Sequence, residues 1–273
     1  MIIRNDNIEI NVITGNKNAL REKIPVLFLH GFTGCAEDWF FIFDKLPSEF
    51  EPIAIDLTGH GKSSSPETLY YYSTDFIIKS IDFILNYFEI KNTVLVGYSM
   101  GGRAALAYAF NYPKKVDKLV LESSTAGIIN ETEKKQREQK DNDLANFIEQ
   151  NSIDDFISYW LNQSLFESLK NLPSNTYNEI VERRKFNSRT GLANSLRGFG
   201  TGTMPNYWEK LYNLKTNTLL ISGNLDNKFT TINKKLSSEL PNAKHVIIKN
   251  TGHNVHLEKP QEFIIFLNRF LNN

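Results

Sequence analysis

Residues 97–101 read Gly-Tyr-Ser-Met-Gly, preceded by the apolar run Thr93-Val94-Leu95-Val96 and followed by Gly102-Arg103-Ala104-Ala105-Leu106-Ala107. The leading run has the character of a buried strand and the trailing one that of a helix lying close to its neighbours, so the residues between must reverse the chain within a sharp turn. Such a turn holds its apex in a strained conformation, and a side chain at Gly97 or Gly101 would collide with the adjoining strand or helix. Ser99 is therefore expected to stand exposed above a sheet, as a nucleophile or as a base. The competing reading, an ordinary Gly-rich strand-to-helix connection, does not require both flanks to match.

The remainder of the chain alternates as this unit demands. Short apolar strands are predicted over 24–30, 52–57, 93–98, 118–122, 218–223 and 245–249, with helical patterns between them, the signature of an α/β fold with a mostly parallel sheet covered on both faces. Phe76, Ile77, Ile81, Ile84, Leu85 and Phe88 recur at helical spacing behind Ser73 or Thr74 as a cap, and Pro260 opens a last helix whose buried face is Phe263, Ile264, Phe266, Leu267 and Phe270. The alternation stops at Ser123 and resumes near Tyr207. Between them lies helical pattern without a convincing strand, beginning with the charged run 131–143. The expected organisation is one core in two parts, 1–122 and 207–273, interrupted at 123–206 by a helical lid above the carboxyl ends of the strands, where ligands of open α/β sheets bind.

Composition narrows the partners. With 31 basic and 31 acidic residues the formal net charge is zero, which argues against nucleic acid or an anionic membrane as a partner and leaves anion recognition to local groups. Cys35 is the single cysteine, so no internal disulfide or thiolate metal cluster can form. The stretch 1–7 lacks an apolar export segment and no run approaches the roughly 20 apolar residues of a spanning helix, so a soluble cytoplasmic protein is expected. No cluster has metal-ligand spacing, and the phosphate-loop and dinucleotide glycine patterns fail.

A serine alone is a weak nucleophile and a poor base. Of five histidines, His253 has the best setting, in the loop between the strand at 245–249 and the last helix. His30 and His60 sit in turns that shape backbone, His245 lies in a strand pattern, and His256 could support the loop. Asp226, just after the strand at 218–223, is the natural acid to orient His253, giving the chain order Ser, Asp, His. Asp56 lies in a turn that reads as structural, and Glu122 is the alternative acid. An oxyanion also needs fixed donors, and the amides of Phe32, in His30-Gly31-Phe32-Thr33-Gly34, and of Met100, directly after Ser99, are placed to supply them. Arg103 stands one turn beyond Ser99 in a closely packed helix, where a guanidinium demands an anionic partner, either a ligand or an acid of the lid.

These residues carry a resemblance narrower than the fold. From about residue 25 to 270 the chain resembles the 2-succinyl-6-hydroxy-2,4-cyclohexadiene-1-carboxylate synthases, the menaquinone-pathway branch of the α/β-hydrolase superfamily. The motifs are His30-Gly31-Phe32-Thr33-Gly34 with Trp39, Val96 to Arg103, Leu225-Asp226-Asn227-Lys228-Phe229, and Gly252-His253-Asn254-Val255-His256 with Glu258 and Pro260. The lid adds Arg137 with Asp141, Tyr159-Trp160, Leu165-Phe166, Arg183-Arg184 and Leu196-Arg197-Gly198. The resemblance implies a lyase that eliminates pyruvate from 2-succinyl-5-enolpyruvyl-6-hydroxy-3-cyclohexene-1-carboxylate, a small polycarboxylate, with no cofactor and no obligate protein partner. It further implies that Arg103, Arg137 and Arg184 bind carboxylates while Tyr98 and Trp160 line the pocket. By charge pattern alone Arg137 and Arg184 read as solvated helix faces. The other functions open to such a chain are a carboxylesterase or carbon–carbon-bond hydrolase with an anionic substrate, and a ligand-binding receptor on the same fold.

Overall fold

The computed structural model describes residues 1–5 and 7–273; position 6, within the N-terminal stretch read above, lies outside the described residues. Among the described residues eight strands form one sheet in the order β1-β2-β4-β3-β5-β6-β7-β8. They are β1 (Ile2–Asn5), β2 (Ile8–Thr14), β3 (Ile24–Leu29), β4 (Phe50–Ile55), β5 (Thr93–Tyr98), β6 (Val116–Glu122), β7 (Asn217–Gly223) and β8 (Ala243–Ile248). From β4 to β8 every pairing is parallel, and β1 and β2 close one edge antiparallel. The six strands expected from sequence are present with ends shifted by two residues or fewer. The additional hairpin was signalled only weakly: β2 alternates Ile8, Ile10 and Val12 into the core, but β1 is four residues long with polar neighbours.

Alternation within the parallel strands sorts side chains to two cores. Leu27, Leu29 and Leu95 join one apolar cluster, whereas Val26, Phe28, Val94 and Val96 join the other. Both faces are buried because helices cover each. They are α1 (Thr74–Tyr87), capped as expected by Ser73, which accepts from the Phe76 amide; α2 (Met100–Asn111), the helix that follows the sharp turn; and, in the last third of the chain, α7 (Asn227–Glu239) and α8 (Pro260–Leu271).

Between β6 and β7 the chain forms α3 (Glu131–Gln150), α4 (Ile153–Leu161), α5 (Ser174–Lys185) and α6 (Arg189–Phe199), with no strand from 123 to 206. These helices have an apolar cluster of their own, including Ile148, Phe156, Leu161, Phe166, Ile180 and Leu192, against which Phe32 of the core packs. Among the described residues no helix is long and apolar enough to cross a membrane.

Candidate active site

Ser99 occupies the turn between β5 and α2 with φ 50° and ψ −104°, a conformation that costs on the order of 1–3 kcal/mol and persists only where the surroundings over-determine it. The surroundings here are specific. The Ser99 amide donates to the Glu122 carbonyl at 2.8 Å, and the Ser124 hydroxyl donates to the Ser99 carbonyl at 2.9 Å. A side chain at Gly97 would strike the backbone of Gly101, and one at Gly101 would strike the Leu29 carbonyl, so both glycines are required by close approach. The strained apex lifts the Ser99 hydroxyl out of the sheet, half-buried rather than enclosed.

The partners arrive from the ends of two more strands. Asp226 follows β7 and caps α7, one carboxylate oxygen accepting from the Phe229 amide at 3.1 Å. Its other oxygen accepts from His253 Nδ1–H at 2.6 Å, which leaves Nε2 free to accept from the Ser99 hydroxyl at 3.1 Å. The His253 loop is fixed in turn by Glu258, whose two oxygens accept from the amides of Gly252 (2.8 Å) and Asn254 (3.2 Å). His253 and Asp226 are 2% and 6% exposed, so the hydrogen bond between them is shielded from solvent while Ser99 faces a cavity. The geometry decides against Glu122 as the orienting acid. Both its oxygens are taken by His256 Nδ1, at 2.8 and 2.9 Å, and one also accepts the His256 amide; the His256 ring stacks on Trp39 at 4.2 Å beneath Tyr98. Asp56 is structural, accepting from the amides of Ala36 and Lys62 and from Asn11.

Phe32, Tyr98, Ser99, Met100, Arg103, Arg137, Trp160 and His253 line one cavity of about 1350 Å³ between the strand ends and the inserted helices. That exceeds the roughly 300–1,000 Å³ usual for small-molecule clefts, so a multiply charged ring compound fits with solvent. Among the described residues the amides of Phe32 and Met100 have no backbone acceptor, and both residues line the cavity together with Ser99. Trp160 Nε1 is likewise buried without a partner.

Arg103 is 8% exposed, and among the described residues it forms no ion pair. It donates to the Phe199 carbonyl and lies over the Phe199 ring at 4.7 Å. Burial first, and the nearby Arg137 cation second, disfavour its charge. A salt bridge to an acid of the insertion, the alternative raised by the sequence, is therefore not formed. Arg137 pairs with Asp141 at 2.8 Å along α3, and the second Asp141 oxygen is buried without a donor.

Arg184 differs from both expectations made for it. It is 3% exposed, so it is no solvated face, and it does not line the cavity. Its helix turns it inward toward Asp38, His30 and Tyr98, one guanidinium nitrogen donating to the Ile180 carbonyl while Nε keeps no partner. Burial alone would raise the Asp38 carboxyl, but the Arg184 and Arg183 cations outweigh it and hold the group below the usual range. Sequence reading did not single out Lys140 and Lys228, which also line the cavity. Lys228 was findable, since a residue at the start of the helix after β7 must face the strand ends; burial, then Arg137, lowers its pKa.

The sheet and the Ser-His-Asp geometry define an α/β-hydrolase, and the sequence profile of the α/β hydrolase fold family matches residues 24–260. Over 271 residues, 97% of this chain and 98% of the relative, the sequence is 36% identical to a Bacillus subtilis (strain 168) protein provisionally named 2-succinyl-6-hydroxy-2,4-cyclohexadiene-1-carboxylate synthase. It is 28% identical over 91% of its length, and 93% of the relative's, to the synthase of that name from Serratia proteamaculans (strain 568). The solved structure of MenH from S. aureus superposes with a TM-score of 0.89 at 35% identity, covering 96% of this chain and 97% of that one. The chain belongs to this family of synthases within the α/β-hydrolases.

Proposed function

We propose that this protein is a carbon–oxygen lyase of menaquinone biosynthesis that eliminates pyruvate from 2-succinyl-5-enolpyruvyl-6-hydroxy-3-cyclohexene-1-carboxylate, leaving 2-succinyl-6-hydroxy-2,4-cyclohexadiene-1-carboxylate. The observation that carries this reading over a simple esterase is Arg103: a buried guanidinium without an ionic partner, one turn beyond Ser99 on the wall of the same cavity. A neutral ester would leave that charge unmet, whereas a polycarboxylate meets it.

In the mechanism, His253, oriented by Asp226, takes the Ser99 hydroxyl proton, and the Ser99 oxygen removes the ring proton next to the succinyl carbonyl. The charge that develops on that carbonyl oxygen is held by the amides of Phe32 and Met100, already fixed in place. As the electrons return to form the second ring double bond, the carbon–oxygen bond to the enolpyruvyl group breaks, and the leaving enolpyruvate takes the proton held by His253 and becomes pyruvate. The base is regenerated without an acyl-enzyme or a cofactor.

Arg103 and Arg137 hold substrate carboxylates, and Tyr98 and Trp160 line the ring, the unpaired indole N–H being free to donate to it. Arg184, which does not line the cavity, takes no part in holding the substrate in this reading. Residues 123–206 act as a lid that excludes water from these contacts. The protein works alone in the cytoplasm, a setting in keeping with a single buried thiol.

The test is direct: substrate made fresh by the preceding enzyme is supplied, and pyruvate release and diene absorbance are followed together. Both are expected to rise in equal amounts. Burst-phase hydrolysis of esters with no pyruvate released would replace the lyase reading with a hydrolase one.

A further inference from the structure

The turn between α5 and α6 lies outside the cavity, yet it is hydrogen-bonded to the loop that supplies the Phe32 amide. Asn187, 5% exposed, uses both ends of its side-chain amide. Nδ2 donates to the Thr33 carbonyl at 2.8 Å and to the Arg184 carbonyl at 2.9 Å, while Oδ1 accepts from the Gly61 amide at 2.9 Å. Two of these partners can only accept and one can only donate, so the orientation of the amide follows from its surroundings, and exchanging N for O would break all three bonds.

The residue it grips is itself strained. Thr33 has φ 67°, an unfavourable place for a β-branched side chain, and it directly follows Phe32. The turn is closed by the Gly34 amide donating to the Gly31 carbonyl at 3.0 Å, and a side chain at Gly31 would run into the Tyr98 ring. A second rivet comes from the same helix end: Arg183 Nε donates to Asp38 at 3.1 Å, and Asp38 accepts from the Cys35 amide at 3.3 Å. On the other side, the Phe32 ring meets Trp160 and Phe156 of α4 edge-on, at 5.3 and 6.4 Å between centroids. The loop that presents the oxyanion donor is thus clasped on two sides by the inserted helices.

We propose that Asn187 is a positioning residue: by tying the Thr33 carbonyl to the Gly61 amide it holds residues 31–34, and with them the Phe32 amide, in the conformation that receives the oxyanion. The oxyanion site is then complete only when the α5–α6 turn is docked, which makes the insertion part of the catalytic geometry as well as a cover. This rests on the reading of Phe32 as an oxyanion donor.

Two measurements on Asn187→Ala in the full chain test it, one of them independent of the substrate. Amide hydrogen exchange is expected to quicken about tenfold or more in peptides spanning 31–36 and 58–64, with β5 and β7 unchanged. With the enolpyruvyl substrate, kcat is expected to fall about tenfold or more while KM moves less than about threefold, because a misplaced oxyanion donor weakens the transition state more than the ground state. Adding Thr33→Gly should restore much of kcat, since glycine adopts the positive φ unaided. Asn187→Asp keeps the acceptor for Gly61 and loses the donors to Thr33 and Arg184 together, and takes the place of the alanine variant in both measurements if that variant does not fold. Unchanged exchange at 31–36, or a raised KM with kcat preserved, would overturn the proposal. An unmodified protein that released no pyruvate would remove the functional reading, and the exchange measurement would still decide whether Asn187 holds the loop.

Discussion

The triad and the cationic wall face each other across one cavity, but they are held by opposite means. Ser99, Asp226 and His253 each stand in the loop that follows a parallel strand, β5, β7 and β8, and each has its hydrogen-bond partners within the core. Arg103 and Arg137, by contrast, are joined to the insertion, the first through the Phe199 carbonyl and the second along α3, and neither has its full complement of acceptors. Reactive groups are satisfied before any ligand arrives, whereas binding groups are left in want of one. Arg103 is a buried cation without an acid, which costs stability, so it marks the place where a ligand would complete the electrostatics.

If that division is right, the largest effects belong to the triad. Ser99→Ala and His253→Ala should each lower kcat by about three orders of magnitude or more with little change in thermal stability, and the double variant should be scarcely worse than either, because the two act as one proton-transfer unit. Additive losses in the double variant would separate the pair and break the contrast at its strongest point.

The wall should respond in binding and in specificity. Arg137→Ala is expected to cost about 2–4 kcal/mol in kcat/KM, the scale of losing a charge-assisted bond in a desolvated site, and Lys should restore only part because it lacks the planar fork. Kinetics indifferent to Arg137 would return it to its intrahelical pair with Asp141. Arg103→Ala should lose pyruvate release yet keep or gain cleavage of short neutral aryl esters, on which the unmodified protein should be weak. An ester rate that fell together with elimination would mean that Arg103 supports the triad rather than the ligand.

The smallest effect is expected in acid. Burial holds His30 and His60 below the usual histidine value of 6.5, so the unfolded chain binds more protons as pH falls. Their contribution to stability is therefore full above about pH 6.5 and declines below it toward the folded-state values, by about 1.4 kcal/mol for each pKa unit separating the two states. Asp38, held below its ordinary 3.8, adds a second loss only under that pH. Thermal melts should show Tm falling between pH 6.5 and 5, with the fall shallower in His60→Asn. A flat Tm over that interval would mean that the buried rings are protonated without cost.

Much of this was legible in the chain. The strained serine turn, the strand ends bearing Asp226 and His253, the helix cap at Ser73, the helix start at Pro260 and the strandless stretch from 123 to 206 all follow from local rules: backbone sterics, turn chemistry and the period of apolar residues. The N-terminal hairpin was missed because β1 is too short to show a period, although Ile8, Ile10 and Val12 show one. What no local rule could supply was the direction of side chains where distant segments meet. Adjacent arginines in one charged run, Arg183 and Arg184, are a half-exposed partner of Asp38 and a fully buried neighbour of it, and neither lines the cavity that Arg137 lines. The bond from Asn187 to Thr33 joins residues 154 positions apart and has no sequence signal. By itself the sequence determined which groups are present and which strand ends carry them, because those depend on residues a few places apart. Which cations reach the cavity, which acid holds His253 and what clasps the Phe32 loop were decided only in the tertiary structure, because each depends on how the inserted helices pack against a sheet built from both ends of the chain.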